Sequence, residues 1–497
     1  MKMNIAIIGA GFGGLSAAKL LKTFGYQVTV FDKEADVGGV WSASRRYPGL
    51  TTQNVKSTYC LSDFPYPDHY PEWPTGAQVQ EYLEAYAKHF NLVPDLRLNT
   101  EVTSADLDED KNIWSIVTRN TKTNEVSSHH FDYLVICNGI YSKPMIPDYP
   151  GAAEYIAAGG RLCHTSEFTH LSDAKDKDVL VVGYGKSSCD VAQALVGTAK
   201  SMAVIARHLM WKVPKHLMNV LNYKHLFLTR GGEGLFKYIR VKGIEKFLHG
   251  IGKPIRNGMM NTVQWIVTKQ CKLRELDMHP GVSLETIATS SISLVTEGFY
   301  ENIVNGKIQF KKTSIERLEV VDGKKIAHLS TGEKMNADII ICGTGWIQSV
   351  PFLSESLVRR ITNEEGDFRL YRNILPVDVP RLAFVGYNSS FFSQLNCEIA
   401  GMWLTDLLGG QLQLPSRDAQ NQQITEKLAW MKKRTGGKHA KGTNIVPFSI
   451  HQMDELLTDM RLPLSTMTRI KQWFQPVDPA DFIYVTDNLV KRYKMKQ

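Results

Sequence analysis

Residues 4–32, NIAIIGAGFGGLSAAKLLKTFGYQVTVFD, decide the fold. The apolar run at 5–8 enters Gly9, Gly11 and Gly14, the G-x-G-x-x-G spacing that tightens a turn and lets backbone approach a pyrophosphate. Ala17, Leu20, Leu21 and Phe24 then recur at helical spacing, so one helix face packs on a sheet while the N-terminal amides face an anion. Gly25 ends the helix. The second strand closes on Asp32, about 20 residues past the glycines, where a carboxylate accepts hydrogen bonds from ribose hydroxyls and disfavours a 2′-phosphate. Three glycines alone are a weak signal. The strand before them, the helix after them and the acid at the right distance together specify an adenine-dinucleotide site.

The pattern recurs at residues 177–207, KDVLVVGYGKSSCDVAQALVGTAKSMAVIAR. Gly183 and Gly185 keep their places, and Ser188 replaces the third glycine with a residue still small enough for close helix–strand packing. Ser187 and Ser188 open the helix and are counted with the glycines as cofactor contacts. The unit ends on Arg207, whose guanidinium suits a 2′-phosphate, so the second nucleotide is expected to be NADPH. His208 and Lys212 either add charge there or are solvated. One cradle ending in an acid beside another ending in a cation implies electron transfer between two bound cofactors.

The 497 residues, 43% hydrophobic, suffice for two to four domains. The first strand begins near Met1 without room for a secretory signal, and no apolar run reaches transmembrane length. Seven scattered cysteines without a C-x-x-C pair favour a reducing, cytoplasmic setting in which they are buried small hydrophobes. The net charge of +8 has one origin: residues 212–257 hold ten Lys/Arg against Glu233 and Glu245. This segment reads first as a solvated helical face, then as a field drawing in anionic cofactor; peripheral membrane contact is not favoured. Nucleic acid is excluded as a partner because no binding motif accompanies the charge.

Between the cradles, Gly38, Gly39 and Trp41 lie in a turn-rich stretch that either wraps a flavin edge or forms a plain surface loop. Pro65, Pro67, Pro71 and Pro74 make residues 62–74 an ordered or gating loop. Helical period returns at 78–90. Residues 96–135 alternate as a small β-meander around Trp114, Ile116 and Thr118. His129 and His130 lack companions at metal-ligand spacing and are read as exposed, so no metal is expected. Residues 215 to about 290 read as a helical insertion. NADIIICGTGW at 336–346 echoes FDYLVICNG at 131–139, each carrying the chain back between domains, and mixed helices follow.

GAGFGG, GGVW, SDFPYP, GYGKSS, the Arg207-x-x-x-Trp211-x-x-Pro214 run and CGTGW, taken in order over residues 3–415, resemble the flavin-containing monooxygenases, which are class B flavoprotein monooxygenases. The resemblance implies an α/β fold of two Rossmann-like domains, the NADPH domain inserted in the FAD domain. It places the first part of the FAD domain at 1–155, the NADPH domain at 156–337 and the rest of the FAD domain with C-terminal helices at 338–497. FAD would occupy the first cradle with Gly39 and Trp41, and NADPH the second. The family fingerprint F-x-G-x-x-x-H-x-x-x-Y/F fits Gly160, His164 and Phe168 but has Ala158 at its first position. In the related Baeyer–Villiger monooxygenases the last fingerprint position is typically Trp, absent here, and their longer motif G-G-x-W-x-x-x-x-Y-P-G-x-x-x-D meets an extra residue and has Gln53 at its acid. Those two differences from the Baeyer–Villiger pattern favour the heteroatom-oxygenating branch, whose active-site Asn falls on Gln53, with Asn54 adjacent; either carboxamide could serve.

The expected reaction is reduction of FAD by NADPH, addition of O2 to the flavin and transfer of one oxygen atom from the resulting hydroperoxide to a small organic substrate, by N- or S-oxygenation. Baeyer–Villiger oxidation of ketones is the alternative. A flavoprotein disulfide reductase is disfavoured because no dithiol is present, and a non-catalytic nucleotide-binding protein is a remote reading.

Overall fold

The computed structural model describes residues 3–289, 293–438 and 440–494. The expected end of the insertion near residue 290 and the last three residues of the charged C-terminus lie outside them. Two parallel five-stranded sheets organise the chain. The first runs, edge to edge, Leu382–Phe384, Tyr133–Ile136, Asn4–Ile8, Gln27–Phe31 and Leu96–Arg97. The second runs Gln309–Lys311, Ser201–Ile205, Asp178–Val182, Ile339–Cys342 and Arg161–His164. In each, the strand entering the glycine turn is central, where both faces are covered, and its apolar run is buried as parallel sheets require.

The sheets share more than strand order. Each inserts a three-stranded antiparallel meander before the strand on the far side of its central strand: Thr100–Asp108, Ile113–Asn120 and Val126–Phe131 in the first, Ile315–Val321, Lys324–Leu329 and Lys334–Asn336 in the second. The carboxylate just before each returning strand anchors the central one, since Asp132 accepts from the Asn4 amide at 2.7 Å and Asp338 from the Asp178 amide at 3.0 Å.

The crossings between sheets differ from those read in the sequence. Ile339–Cys342 pairs with Val179–Val182 and Arg161–His164, so this strand belongs to the second sheet and the chain returns after it, not at 338. On the outward path, Pro150 already accepts from the Leu318 amide of the second meander, ahead of residue 155. The two connections meet as an antiparallel ribbon, Lys143–Pro144 against Trp346–Ile347.

Residues 215–289 are largely helical, with Arg230–Gly234, Gly243–Leu248 and Lys253–Gln270 as principal pieces. Ser393–Leu408 packs along the first glycine-turn helix, Phe12–Thr23, where Gly401 lies against Ala17 and Leu20. Arg417–Thr435, Ser449–Asp459, Thr466–Phe474 and Ile483–Lys494 complete the chain. All seven cysteines are free and buried. His130 is exposed as expected, whereas His129 is half-buried against the Phe31 ring because its strand lays that face on the sheet.

Candidate active site between two nucleotide cradles

In the first cradle Gly9 adopts φ +112°, and a Cβ there would sit 2.4 Å from the Cys137 carbonyl oxygen. A Cβ on Gly14 would meet the Gly9 carbonyl oxygen at 1.8 Å. Gly11 caps the helix with no side chain on the first-turn amides, leaving them for an anion. Gly38 and Gly39, both at positive φ, fold residues 38–41 over this turn: the Gly38 amide donates to the Ala10 carbonyl at 3.0 Å, and Trp41 is buried beside Tyr59. Asp32 accepts from the Ala10 amide at 2.7 Å and the Glu34 amide at 2.9 Å. Burial pushes its pKa up against those two hydrogen bonds, and the Arg45 guanidinium also opposes the rise.

The second cradle repeats this geometry. Gly183 has φ +116°, and its Cβ would lie 2.5 Å from the Gly343 carbonyl oxygen. Gly185 is the uncapped helix start, and a Cβ on it would enter open space. Ser188 is fully buried and its Oγ donates to the Gly343 carbonyl at 3.3 Å, so that hydroxyl is committed to the protein; Ser187 is half-buried in the first turn. Ala206 holds the register position of Asp32, and Arg207 lies one residue further on, exposed. His208 is exposed too. Lys212 is not available to a phosphate: its ammonium is buried, donates to Ser293 Oγ at 2.9 Å and lies over the Tyr184 ring, and burial lowers its pKa.

A family model described as "FMO-like: Flavin-binding monooxygenase-like" matches residues 2–465. The chain belongs to this family. It is 26% identical over 507 residues to flavin-containing monooxygenase 1 of Rattus norvegicus, covering 97% of this chain and 89% of that protein. Identity to flavin-containing monooxygenase 1 of Homo sapiens is 28% over 435 residues, covering 84% and 75%. Among solved structures, S-allyl-L-cysteine S-oxygenase from Allium sativum superposes with a TM-score of 0.64 at 17% identity, covering 100% of this chain and 98% of that one. Cyclohexanone-bound cyclohexanone monooxygenase gives 0.68 at 18%, covering 92% and 97%. The protein is thus a flavin-dependent oxidoreductase of the monooxygenase type, with FAD and NADPH as cofactors.

Its residues fit a flavin nucleotide. Besides the uncapped glycine helix, Gln394 is 1% exposed, yet neither amide atom has a partner among the described residues; Asn388 Oδ1 is likewise buried and unpaired. Such atoms are costly unless a polar ligand reaches them. They lie near the first cradle, because a Cβ on Gly13 would be 3.1 Å from the Val385 carbonyl oxygen and 3.7 Å from Cys397 Sγ. Residues 53 and 54 meet this region. Asn54 is buried, with Nδ2 donating to the Phe391 carbonyl at 2.7 Å and Oδ1 accepting from Tyr223 at 3.4 Å. Gln53 is exposed; its Oε1 accepts from the Leu294 amide across the interface at 3.2 Å, and its Nε2 makes no hydrogen bond among the described residues.

Three further polar groups are held by contacts that periodicity could not find. Arg45 donates to the Tyr141 carbonyl at 2.8 Å and lies 5.2 Å over the Trp346 ring. The ring of the fingerprint His164 meets the same Trp346 edge-on at 4.6 Å, and burial lowers its pKa. Gly160 of the same fingerprint is required because the Tyr155 ring would lie 2.4 Å from its Cβ. Glu398, fully buried in Ser393–Leu408, accepts from both the amide and Oγ of Ser62 at 2.8 Å, pinning the start of the proline-rich loop. Lys19 and Asp63 pair at 2.6 Å nearby.

Proposed function

We propose that FAD occupies the first cradle and NADPH the second, and that the enzyme oxygenates nitrogen or sulfur in a small organic substrate. Asp32 at the first strand end suits a free ribose, and Arg207 at the second suits a 2′-phosphate. The flavin supplies hydride acceptance and oxygen activation when bound. The chain's own part is to bind, orient and exclude water. Gly11 and Gly185 offer helix amides to the two pyrophosphates, Asn54 fixes the 53–54 segment to Phe391, and Gln53 offers its free amide donor between the cradles.

The choice of heteroatom oxygenation is carried by the neutral Gln53 at the junction. Oxygen delivery to a soft nucleophile needs an electrophilic donor, which neutral hydrogen-bond donors preserve; attack on a ketone carbonyl needs an anionic donor held by a fixed cation. Lys56, the nearest lysine in sequence, donates instead to the carbonyls of Pro67, Asp68 and Tyr70. Solved neighbours of both kinds share the fold, and cyclohexanone monooxygenase, with its TM-score of 0.68, keeps Baeyer–Villiger oxidation as the second reading. Incubation with NADPH and an equimolar sulfide, tertiary amine and cyclic ketone separates them by product mass. Sulfoxide or N-oxide is expected; ester or lactone as the sole product overturns the proposal.

A further inference from the structure

Asp190 stands where separate stretches of chain meet. It lies in Lys186–Leu195, the helix that opens the second cradle, and is 2% exposed. Its two oxygens accept from three side chains: Lys186 Nζ reaches both at 2.5 Å from the first turn of the same helix, Thr296 Oγ1 donates to Oδ1 at 2.5 Å, and the Tyr47 hydroxyl donates to Oδ2 at 3.4 Å. The start of this helix is left open to an anion, and a carboxylate one turn further along opposes that ligand unless a cation offsets it, as Lys186 does. A buried acid set against the helix's own ligand is explained by what else it holds.

Both partners outside the helix lead to Gln53. Tyr47 begins the segment that carries Gln53, and the same segment is seated on the cradle helix, since a Cβ on Gly49, at φ +84°, would lie 3.0 Å from the Asp190 carbonyl oxygen and 3.3 Å from Ala194 Cβ. The other edge of the segment is braced by the Thr52 amide on the Pro74 carbonyl at 2.9 Å and the Gly76 amide on the Leu50 carbonyl at 2.8 Å. Thr296 belongs to the stretch that receives the Gln53 side chain: the Leu294 amide donates to Gln53 Oε1 at 3.2 Å, and Asn302 Nδ2 pins that stretch again to the cradle helix through Gln193 Oε1 at 3.0 Å. One buried carboxylate thus holds both the backbone from which Gln53 projects and the backbone that takes its carboxamide oxygen, which fixes where Nε2 stands. A hydrogen-bond donor acts on a reacting group only when its distance and angle are held by such supporting contacts. Resting on the role given to Gln53 above, we propose that Asp190 is a positioning residue that references the Gln53 amide to the cofactor-binding helix.

Turnover of the flavin-loaded full chain in air without organic substrate, NADPH + H⁺ + O2 → NADP⁺ + H2O2, tests this beside anaerobic bleaching of the flavin by NADPH. Asp190→Asn should raise the rate of peroxide release about fivefold, and Thr296→Val, which removes one donor and keeps the side-chain shape, about twofold, while the KM for NADPH and the anaerobic rate each move by less than about twofold. Asp190→Asn/Gln53→Ala should release peroxide no faster than Gln53→Ala alone, because both changes act through one amide. Where Asp190→Asn yields no flavin-loaded protein, Thr296→Val/Gln53→Ala carries the same comparison. Additive effects in the double variant, a KM for NADPH that rises in step with peroxide release, or release unmoved by Asp190→Asn and Thr296→Val while Gln53→Ala raises it overturns the positioning role and leaves that of Gln53 standing. Release unmoved by Gln53→Ala itself removes the role of Gln53, and the positioning role falls with it.

Discussion

Replacing Glu398 with glutamine should flatten part of the pH dependence of stability. Burial raises the Glu398 carboxyl from an ordinary value of 4.5 to about 7, with the Lys19 ammonium and the Ser62 donors opposing the rise. The folded state therefore holds this proton at pH values where the unfolded chain has released it. The contribution is fully present below pH 4.5 and is lost as pH rises to about 7, after which it is flat. At about 1.36 kcal/mol per pH step the loss is of the order of 3 kcal/mol. The carboxamide of Glu398→Gln stays neutral throughout and can still exchange hydrogen bonds with the Ser62 hydroxyl. The melting temperature of the variant, followed by release of flavin fluorescence, should approach that of the wild type near pH 5. By pH 8 it should exceed the wild type by roughly 5 °C, using the 2–4 °C per kcal/mol typical of large domains and allowing for a longer chain. Comparing the two proteins at each pH cancels every other titrating group. A constant difference from pH 5 to pH 8 would refute the reasoning, because Glu398 would then carry the same charge in both states.

Arg207→Ala should raise the KM for NADPH about tenfold, the low end for charge-assisted hydrogen bonds because the side chain is exposed, and leave that for NADH nearly unchanged; an equal rise in both removes Arg207 from phosphate binding. Gly343→Ala puts a Cβ 1.9 Å from Ser188 Oγ and should cost about 1–3 kcal/mol in thermal or denaturant unfolding, most of it recovered in Gly343→Ala/Ser188→Gly, which restores a glycine at the third position. Gln53→Ala should raise hydrogen peroxide release per NADPH oxidised about five- to tenfold through loss of one hydrogen bond worth about 1 kcal/mol or a little more. Product and peroxide assays on the same sample check it, and unchanged coupling would shift attention to Asn54.

Both cradles were legible because backbone contact dictates their residues. Gly9 and Gly183 can be replaced by nothing larger without striking the carbonyls of Cys137 and Gly343, so the chemistry of the fold is written in the sequence at fixed spacing. What depends on distant partners was not legible. The basic run at 212–257 read as a solvated face, yet Arg230 is buried against Asp454, 224 residues away, Lys224 reaches Glu72, and Lys212 is enclosed beside Ser293. Glu398 is fully buried in Ser393–Leu408, where the tertiary approach of Ser62 supplies the donors its carboxyl accepts from. The return crossing was misplaced by a strand because an apolar run ending in C-G-T-G looks the same whichever sheet receives it.

Duplication sharpens the division of labour between the cradles. Central strands, positive-φ glycines, uncapped helices and carboxylate anchors at Asp132 and Asp338 coincide, so backbone geometry cannot tell one dinucleotide from another. Selection falls to side chains at the end of the second strand of each unit. There the first copy places Asp32 with Glu34 close behind, a field that repels a 2′-phosphate even though two backbone amides already engage Asp32. The second copy places Ala206 in the same register and Arg207 beside it, removing the repulsion and adding a cation in adjacent residues. The ribbon that joins the domains, whose Trp346 touches both Arg45 and His164, ties the flank of the acidic cradle to the fingerprint of the basic one. On the proposed assignment, charge at the two strand ends is what orders the cofactors, and the Trp346 contacts couple the walls that would hold them.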